Sequence, residues 1–320
     1  MSSRSRMRDL PLLTAAAGAA CIATSGVLVR LAETSSVTVA FYRCLYALPL
    51  LALITLSERR RYGALPVRTR NLAWIAGVFF ATDLVLWHHA IAAVGAGLAT
   101  VLGNLQVLLV GFAAWAVLKE KPQATLFAAI PIVLIGVVLI SGVVGSDVYG
   151  EDPALGVVFG IGTSIAYAVF ILVLREGSRD LRRVAGPLFH ATFVSAVVAM
   201  LYGIATAELD WNPGLESHGW LVALALTAQV AGWLLISRSL PRLPAAITSV
   251  VLLLQPVGAM ALAAVALGEE PGPAQLAGAG LILAGVLVAT SGTRKRDPVR
   301  DLAAVAPGSP PRAADVAESP

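Results

Sequence analysis

Charge is what this sequence has least of. Asp, Glu, Lys and Arg make up 13% of its 320 residues, against about 25% in a soluble domain whose surface must be wetted. That deficit excludes the pair of soluble domains that a chain of this length would otherwise suggest. Cysteine is equally scarce. Cys21 and Cys44 both lie inside apolar runs, which excludes a secreted disulfide framework. The four histidines include the adjacent His88 and His89, which point about 100° apart on a helix with no third ligand spaced to join them. No metal site and no cofactor site are expected. No Gly-x-x-x-x-Gly-Lys-Ser/Thr loop is present, so the chain cannot hydrolyse ATP by itself. What abounds is apolar. Hydrophobic residues reach 58% and the mean hydropathy is +0.81. The chain reads as an all-α polytopic membrane protein.

A membrane-spanning helix needs about 20 mostly apolar residues. Ten such runs lie near 10–32, 37–57, 71–92, 96–117, 124–144, 154–174, 187–207, 219–239, 244–267 and 273–292. The third and fourth are parted only by Ala93-Val94-Gly95-Ala96-Gly97, and merged they would be too long to span once. The first run has the basic start of a signal peptide but is long enough to span, so it is read as an uncleaved helix. With residues 1–9 placed in the cytoplasm, the internal segments hold 21 of the 23 Lys and Arg residues, all but Arg30 and Arg43. The external segments are acidic, with Asp147, Glu151, Asp152, Glu208, Asp210, Glu216, Glu269 and Glu270. This asymmetry orients the chain in the cell membrane with both termini cytoplasmic. It also accounts for the net charge of +4 without a nucleic-acid partner. Residues 293–320 carry five prolines and little apolar content, and read as a disordered cytoplasmic tail.

Shifting the chain by 149 residues aligns 94–138 with 243–287 without a gap, and 12 of the 45 pairs are identical. The polar and special matches carry the weight: Gln106 with Gln255, Glu120 with Glu269, Pro122 with Pro271, and Gly136 with Gly285. Five spans per copy is an odd number, so the second copy enters the membrane from the opposite face. Two inverted five-helix repeats, 10–144 and 154–292, follow, an architecture of secondary transporters.

The second copy reads Gln255-Pro256-Val257, then Gly268-Glu269-Glu270-Pro271, then Gly278 and Gly285. In these residues the chain resembles the EamA-type members of the drug/metabolite transporter superfamily. The resemblance covers 10–292 and implies ten spans in two repeats and transport of amino acids, metabolites or drugs. The first copy departs from the pattern, with Val107 at the proline and Lys119 at the turn glycine. Glu120 and Glu269 sit beside Pro122 and Pro271 at helix ends, where a turn-forming role is favoured over a gating one.

Ionisable groups inside spans are costly and default to functional hypotheses. Asp83 lies about 18 Å from the inner edge of its span and Arg43 about 21 Å from the inner edge of its own. The pair has two readings: a buried ion pair pinning two helices, or a pathway carboxylate that takes a proton or a substrate amine. Asn104, Gln106, Gln229 and Gln255 fall at similar depth. Together with Asp83 they form a candidate polar layer between the repeats, although Gln106 and Gln255 would also serve as interhelical hydrogen bonders. Trp87 and Trp233 stand four residues after Asp83 and Gln229, on the same helix faces. An indole one turn from a polar group suits an amphipathic substrate, yet tryptophans also fill cores. His88 and His89 are candidates for gating or proton coupling, or a wetted helix end. The stripe Gly156, Gly160, Ser164 and Ala168 should let a neighbouring helix approach closely.

The leading expectation is a secondary transporter of small organic metabolites such as amino acids, working as an exporter and proton-coupled or exchange-driven. Its partners are a small-molecule substrate and the bilayer. The sequence leaves the oligomeric state open. Two alternatives remain: a membrane-embedded enzyme, for which no catalytic cluster accompanies His88 and His89, and a non-transporting regulatory subunit.

Overall fold

The computed structural model describes residues 3–117, 119, 124–140, 153–268 and 272–295, and they are helical apart from short turns. In order these are α1 (Ser3–Ala23), α2 (Ser25–Leu31), α3 (Ser36–Tyr62), α4 (Val67–Asn104), α5 (Gln106–Ala116), α6 (Ala124–Ile140), α7 (Pro153–Gly177) and α8 (Ala185–Ala205). Then come α9 (Leu215–Leu224), a π-helical segment (Ala225–Gly232), α10 (Trp233–Ser239), a 3₁₀ turn (Leu240–Arg242), α11 (Ala245–Leu252), α12 (Leu254–Leu267) and α13 (Pro273–Lys295). Among the described residues, six segments are long and apolar enough to cross a membrane: Leu10–Leu31, Ser36–Tyr62, Ala154–Gly177, Ala185–Ala205, Leu215–Arg242 and Ala245–Ala266. Shorter apolar helices occupy Leu102–Ala116, Ala124–Leu139 and Pro273–Ala289. The expectations for Glu120, Pro122, Glu269, Glu270, Pro271 and most of the tail fall outside the described residues.

The predicted punctuation at residues 93–97 takes an unforeseen form. Helical turns continue through all 38 residues of α4, which as a straight rod would measure about 57 Å. Yet Thr163 on α7 donates its hydroxyl to the Asp83 carbonyl at 3.4 Å, and its methyl lies 3.4 Å from where a Gly103 Cβ would stand. A straight helix would hold residues 83 and 103 about 30 Å apart. The Trp87 ring also comes within 3.9 Å of that Gly103 position. The chain therefore doubles back within α4, giving two arms that lie together on α7. Ala90, Ala99 and Phe159 pack together near the bend.

The helical pattern does break at Leu105, one residue before Gln106, and again at Leu253, two before Gln255. The backbone is nearly the same at both places, with φ −60° and ψ −13° at Leu105 and φ −67° and ψ −5° at Leu253. Pro256 explains the second break, since it has no N–H for the Leu252 carbonyl. Val107 stands in its place in the first copy, so proline is not required for the first. The turns after α5 and α12 also correspond. Gly268 is left-handed at φ 67° and caps α12, while Lys119 takes φ 55° at the equivalent position.

Pairings between helices recur across the two halves. α6 packs on α13, α3 on α8, and α5 on α11. α7 packs on α4 and α5, as α1 packs on α10, α11, α12 and the π segment. Taken span by span, with residues 96–117 as one span and 244–267 as its counterpart, exchanging the halves maps each of these pairings onto itself or onto another of them. The α6–α13 contact is a close one. A Cβ on Gly136 would meet the Gly278 carbonyl and Ile282 at 2.8 Å, and one on Gly285 would meet Ala129 and Val133. Since Ala129 and Val133 correspond to Gly278 and Ile282 under the 149-residue shift, the contact is reciprocal.

At the arginine-rich end, polar side chains tie helix ends together. Both oxygens of Glu58 accept from the amides of Ala185 and Gly186 at 3.0 Å, satisfying donors that the start of α8 leaves open. Arg183 donates to the Ala64 carbonyl at 2.6 Å and to that of Tyr62. In the same loop, hydrogen bonding from Arg182 holds the Asp180 carboxyl below its ordinary range.

Candidate substrate pathway

Arg43 projects from the middle of α3 into the protein, where it is 8% exposed. Its Nε donates to Gln229 Oε1 at 3.3 Å, and Gln229 Nε2 donates to Thr192 Oγ1 at 3.1 Å. The π-helical segment carries Gln229, and π segments frequently mark functional sites. Beneath the guanidinium lies the Phe80 ring, 5.8 Å away. Phe80 stacks on Phe170 at 4.6 Å, and Trp233 meets both edge-on at 5.7 and 4.8 Å.

Asp83, 9% exposed, is a neighbour of both Arg43 and Tyr167. No N···O contact within 4.0 Å joins Asp83 to Arg43 among the described residues. The two side chains are neighbours without a direct bridge, and both readings of the pair stay open at this point. Gln229 sits at the arginine instead, because the π segment places its amide there. On the other side, Tyr167 lies beside Gln255. Among the described residues, Gln255 Nε2, Gln106 Oε1 and Trp233 Nε1 are buried with no hydrogen-bond partner.

The structure thus brings Arg43, Asp83, Gln229, Trp233 and Gln255 into one neighbourhood. Trp233, only 2% exposed, fills its aromatic core. Gln106 is equally buried, at the start of α5, and among the described residues no hydrogen bond joins it to the others. Trp87 lies against Gly103, and Asn104 ends α4. His89 is held at both ring nitrogens, with Nδ1 2.8 Å from the Val85 carbonyl and Nε2 2.9 Å from the Tyr202 hydroxyl. The His88 side chain lies outside the described residues. The small-residue stripe serves close packing: Gly160 abuts Leu102, and the Ser164 hydroxyl donates to the Leu102 and Gly103 carbonyls. Sequence reasoning missed Thr192, Phe80, Phe170 and Tyr167. Tyr167 is the one with a usable signal, a phenol well inside an apolar run.

A bundle of apolar helices around a buried, partly unsatisfied polar layer defines a polytopic membrane protein of the transporter class. The chain matches the EamA-like transporter family over residues 10–142 and 154–291, and it belongs to that family. An uncharacterized transporter of Bacillus subtilis (strain 168), YwfM, is 27% identical over 241 residues, which is 72% of this chain and 78% of that one. One solved crystal structure shares the fold with a TM-score of 0.75 at 18% identity, covering 88% of this chain and 98% of its own.

Proposed function

We propose that the chain is a secondary transporter that exports small organic metabolites such as amino acids across the cell membrane, driven by protons or by exchange. The observation that carries this reading is the unbridged pair of charges. Arg43 and Asp83 are buried near one another without an ion pair, which is costly unless another group visits them. A zwitterion offers a carboxylate to the arginine and an ammonium to the aspartate. The unpartnered Gln255 Nε2 and Gln106 Oε1 add a donor and an acceptor for the rest of such a molecule.

In the same reading, ten spans form two inverted repeats, 10–144 and 154–292, with both termini cytoplasmic. The helix pairings that survive exchange of the halves support it, as do the paired breaks at Leu105 and Leu253 and the two successive family matches. Broken helices at corresponding positions of two halves are the usual mark of a transporter's midplane site.

The test is counterflow. Purified protein in sealed vesicles preloaded with unlabelled amino acids should accumulate the matching labelled amino acid transiently. Failure with every amino acid, while other metabolite classes succeed, would reject the zwitterion but keep transport. Failure with all classes would reject transport.

A further inference from the structure

Away from the polar layer, a cavity of about 300 Å³ opens at the arginine-rich end between α3, α4 and α8. Thr55, Arg59, Arg70, Arg183, Phe189 and His190 line it. Its acidic residue, Glu58, is committed to the Ala185 and Gly186 amides. Arg183 is committed to the Tyr62 and Ala64 carbonyls and to Asp180. Arg59 and Arg70 are different. No carboxylate lies within 4.0 Å of either among the described residues, and the Arg70 guanidinium rests on the Trp74 ring at 5.1 Å. Among the described residues, Arg70 Nε and the Thr55 hydroxyl are buried without a hydrogen-bond partner. Two uncommitted guanidinium groups and a hydroxyl around one cavity make an anion site, with the planar fork that suits phosphate.

The wall on the membrane side is apolar and leads deeper. Phe189 stacks on Phe193 at 6.5 Å, and Phe193 and Trp74 are 47% and 44% exposed. A free anion gains nothing from that strip, whereas an acyl chain attached to the anion would lie along it. Basic pockets between spanning helices hold lipid headgroups in this way.

We propose that this cavity binds the phosphate headgroup of an anionic phospholipid from the adjoining leaflet, with Arg59, Arg70 and Thr55 on the phosphate and Phe193 and Trp74 along the acyl chain. Bound there, the lipid would bridge the ends of α3, α4 and α8, two of which carry Arg43 and Asp83.

Native mass spectrometry of the purified full chain tests this with phosphatidylglycerol, phosphatidylcholine and inorganic phosphate. Phosphatidylglycerol should be retained in preference to phosphatidylcholine, and excess inorganic phosphate should not displace it. Arg59→Gln with Arg70→Gln should weaken retention by about fivefold per arginine, and the corresponding double lysine variant should keep most of it. Equal retention of the two lipids, displacement by inorganic phosphate, or undiminished retention in the folded glutamine variant would overturn the proposal. Should that variant fail to fold, the wild type decides. Retention must fall as salt is raised, and salt-independent retention rejects a charged headgroup site.

Discussion

Gly136 and Gly285 each lie where a side chain would strike the other's helix, and they meet equivalent residues there. A Cβ on Gly136 would come 2.8 Å from the Gly278 carbonyl, a contact too short for any methyl group. Overpacking of this kind costs about 1–3 kcal/mol. Gly136→Ala and Gly285→Ala should each lower the thermal unfolding midpoint in detergent, and by similar amounts. Gly111→Ala is the control, because nothing lies within 4 Å of its position, and it should leave the midpoint in place. A large loss for one glycine and none for the other would show that the contact is not reciprocal in solution.

Lys119 and Gly268 test the same relationship at a turn. Both have positive φ, 55° and 67°, but only glycine takes that region without a steric cost. A side chain there costs about 1–2 kcal/mol. Lys119→Gly should therefore stabilise the protein by about 1 kcal/mol, and Gly268→Ala should destabilise it by a similar amount. Thermal unfolding of the two variants reads both signs, and a Lys119→Gly variant less stable than the parent would contradict the turn geometry.

These two contacts also show how far the sequence could be read. Gly136, Gly285, Lys119 and Gly268 were all marked by the 149-residue shift, because backbone constraints leave their trace in residue type. The apolar runs were legible for a similar reason, since the bilayer demands about 20 residues of one character. The bend inside α4 was legible only as an impossibility of length. Its form was not, because no proline or polar loop interrupts the helical turns. The site was harder. Depth along a helix follows from counting, so Arg43, Asp83 and Gln229 were placed at one level. Which of them touch depends on helix rotation, and the π segment shifts that rotation by inserting extra residues per turn. Counting alone therefore puts Arg43 and Asp83 at one level, and only the helix rotation shows that the arginine donates to Gln229. The cavity beside Arg59 and Arg70 leaves no mark in the sequence, because any arginine on the cytoplasmic side satisfies the charge asymmetry equally well.

His89 offers a test of pH coupling. The Val85 carbonyl can only accept, so Nδ1–H donates to it, while Nε2 and the Tyr202 hydroxyl share a hydrogen bond. A histidine satisfied at both nitrogens is a structural element. Tyr202→Phe removes one hydrogen bond and should cost about 1 kcal/mol of stability. The pH dependence of counterflow across the range in which histidine titrates, about pH 5 to 8, should not change. A shifted profile in Tyr202→Phe would make His89 a coupling residue instead.

Asp83 and Arg43 respond differently to neutralisation if the charges are unbridged. Asp83→Asn removes the anion near Arg43, but the guanidinium keeps its bond to Gln229 and its place over Phe80, so protein level and unfolding midpoint should fall less than in Arg43→Gln. Counterflow should be lost, because the substrate ammonium has no counter-charge. Arg43→Gln also ends counterflow but carries a larger structural cost. It takes the donor from Gln229 and leaves Asp83 without its neighbouring cation, and an uncompensated buried charge costs about 3–5 kcal/mol. The double variant should recover the stability lost in Arg43→Gln, since no buried charge remains, but not the transport. A tight ion pair would behave otherwise: each single variant would be unstable and the double variant would restore stability and counterflow together. Measuring expression, unfolding midpoint and counterflow for the three variants separates these outcomes. Full transport in Asp83→Asn would remove the carboxylate from the pathway and leave Arg43, Gln229 and Gln255 to hold the substrate.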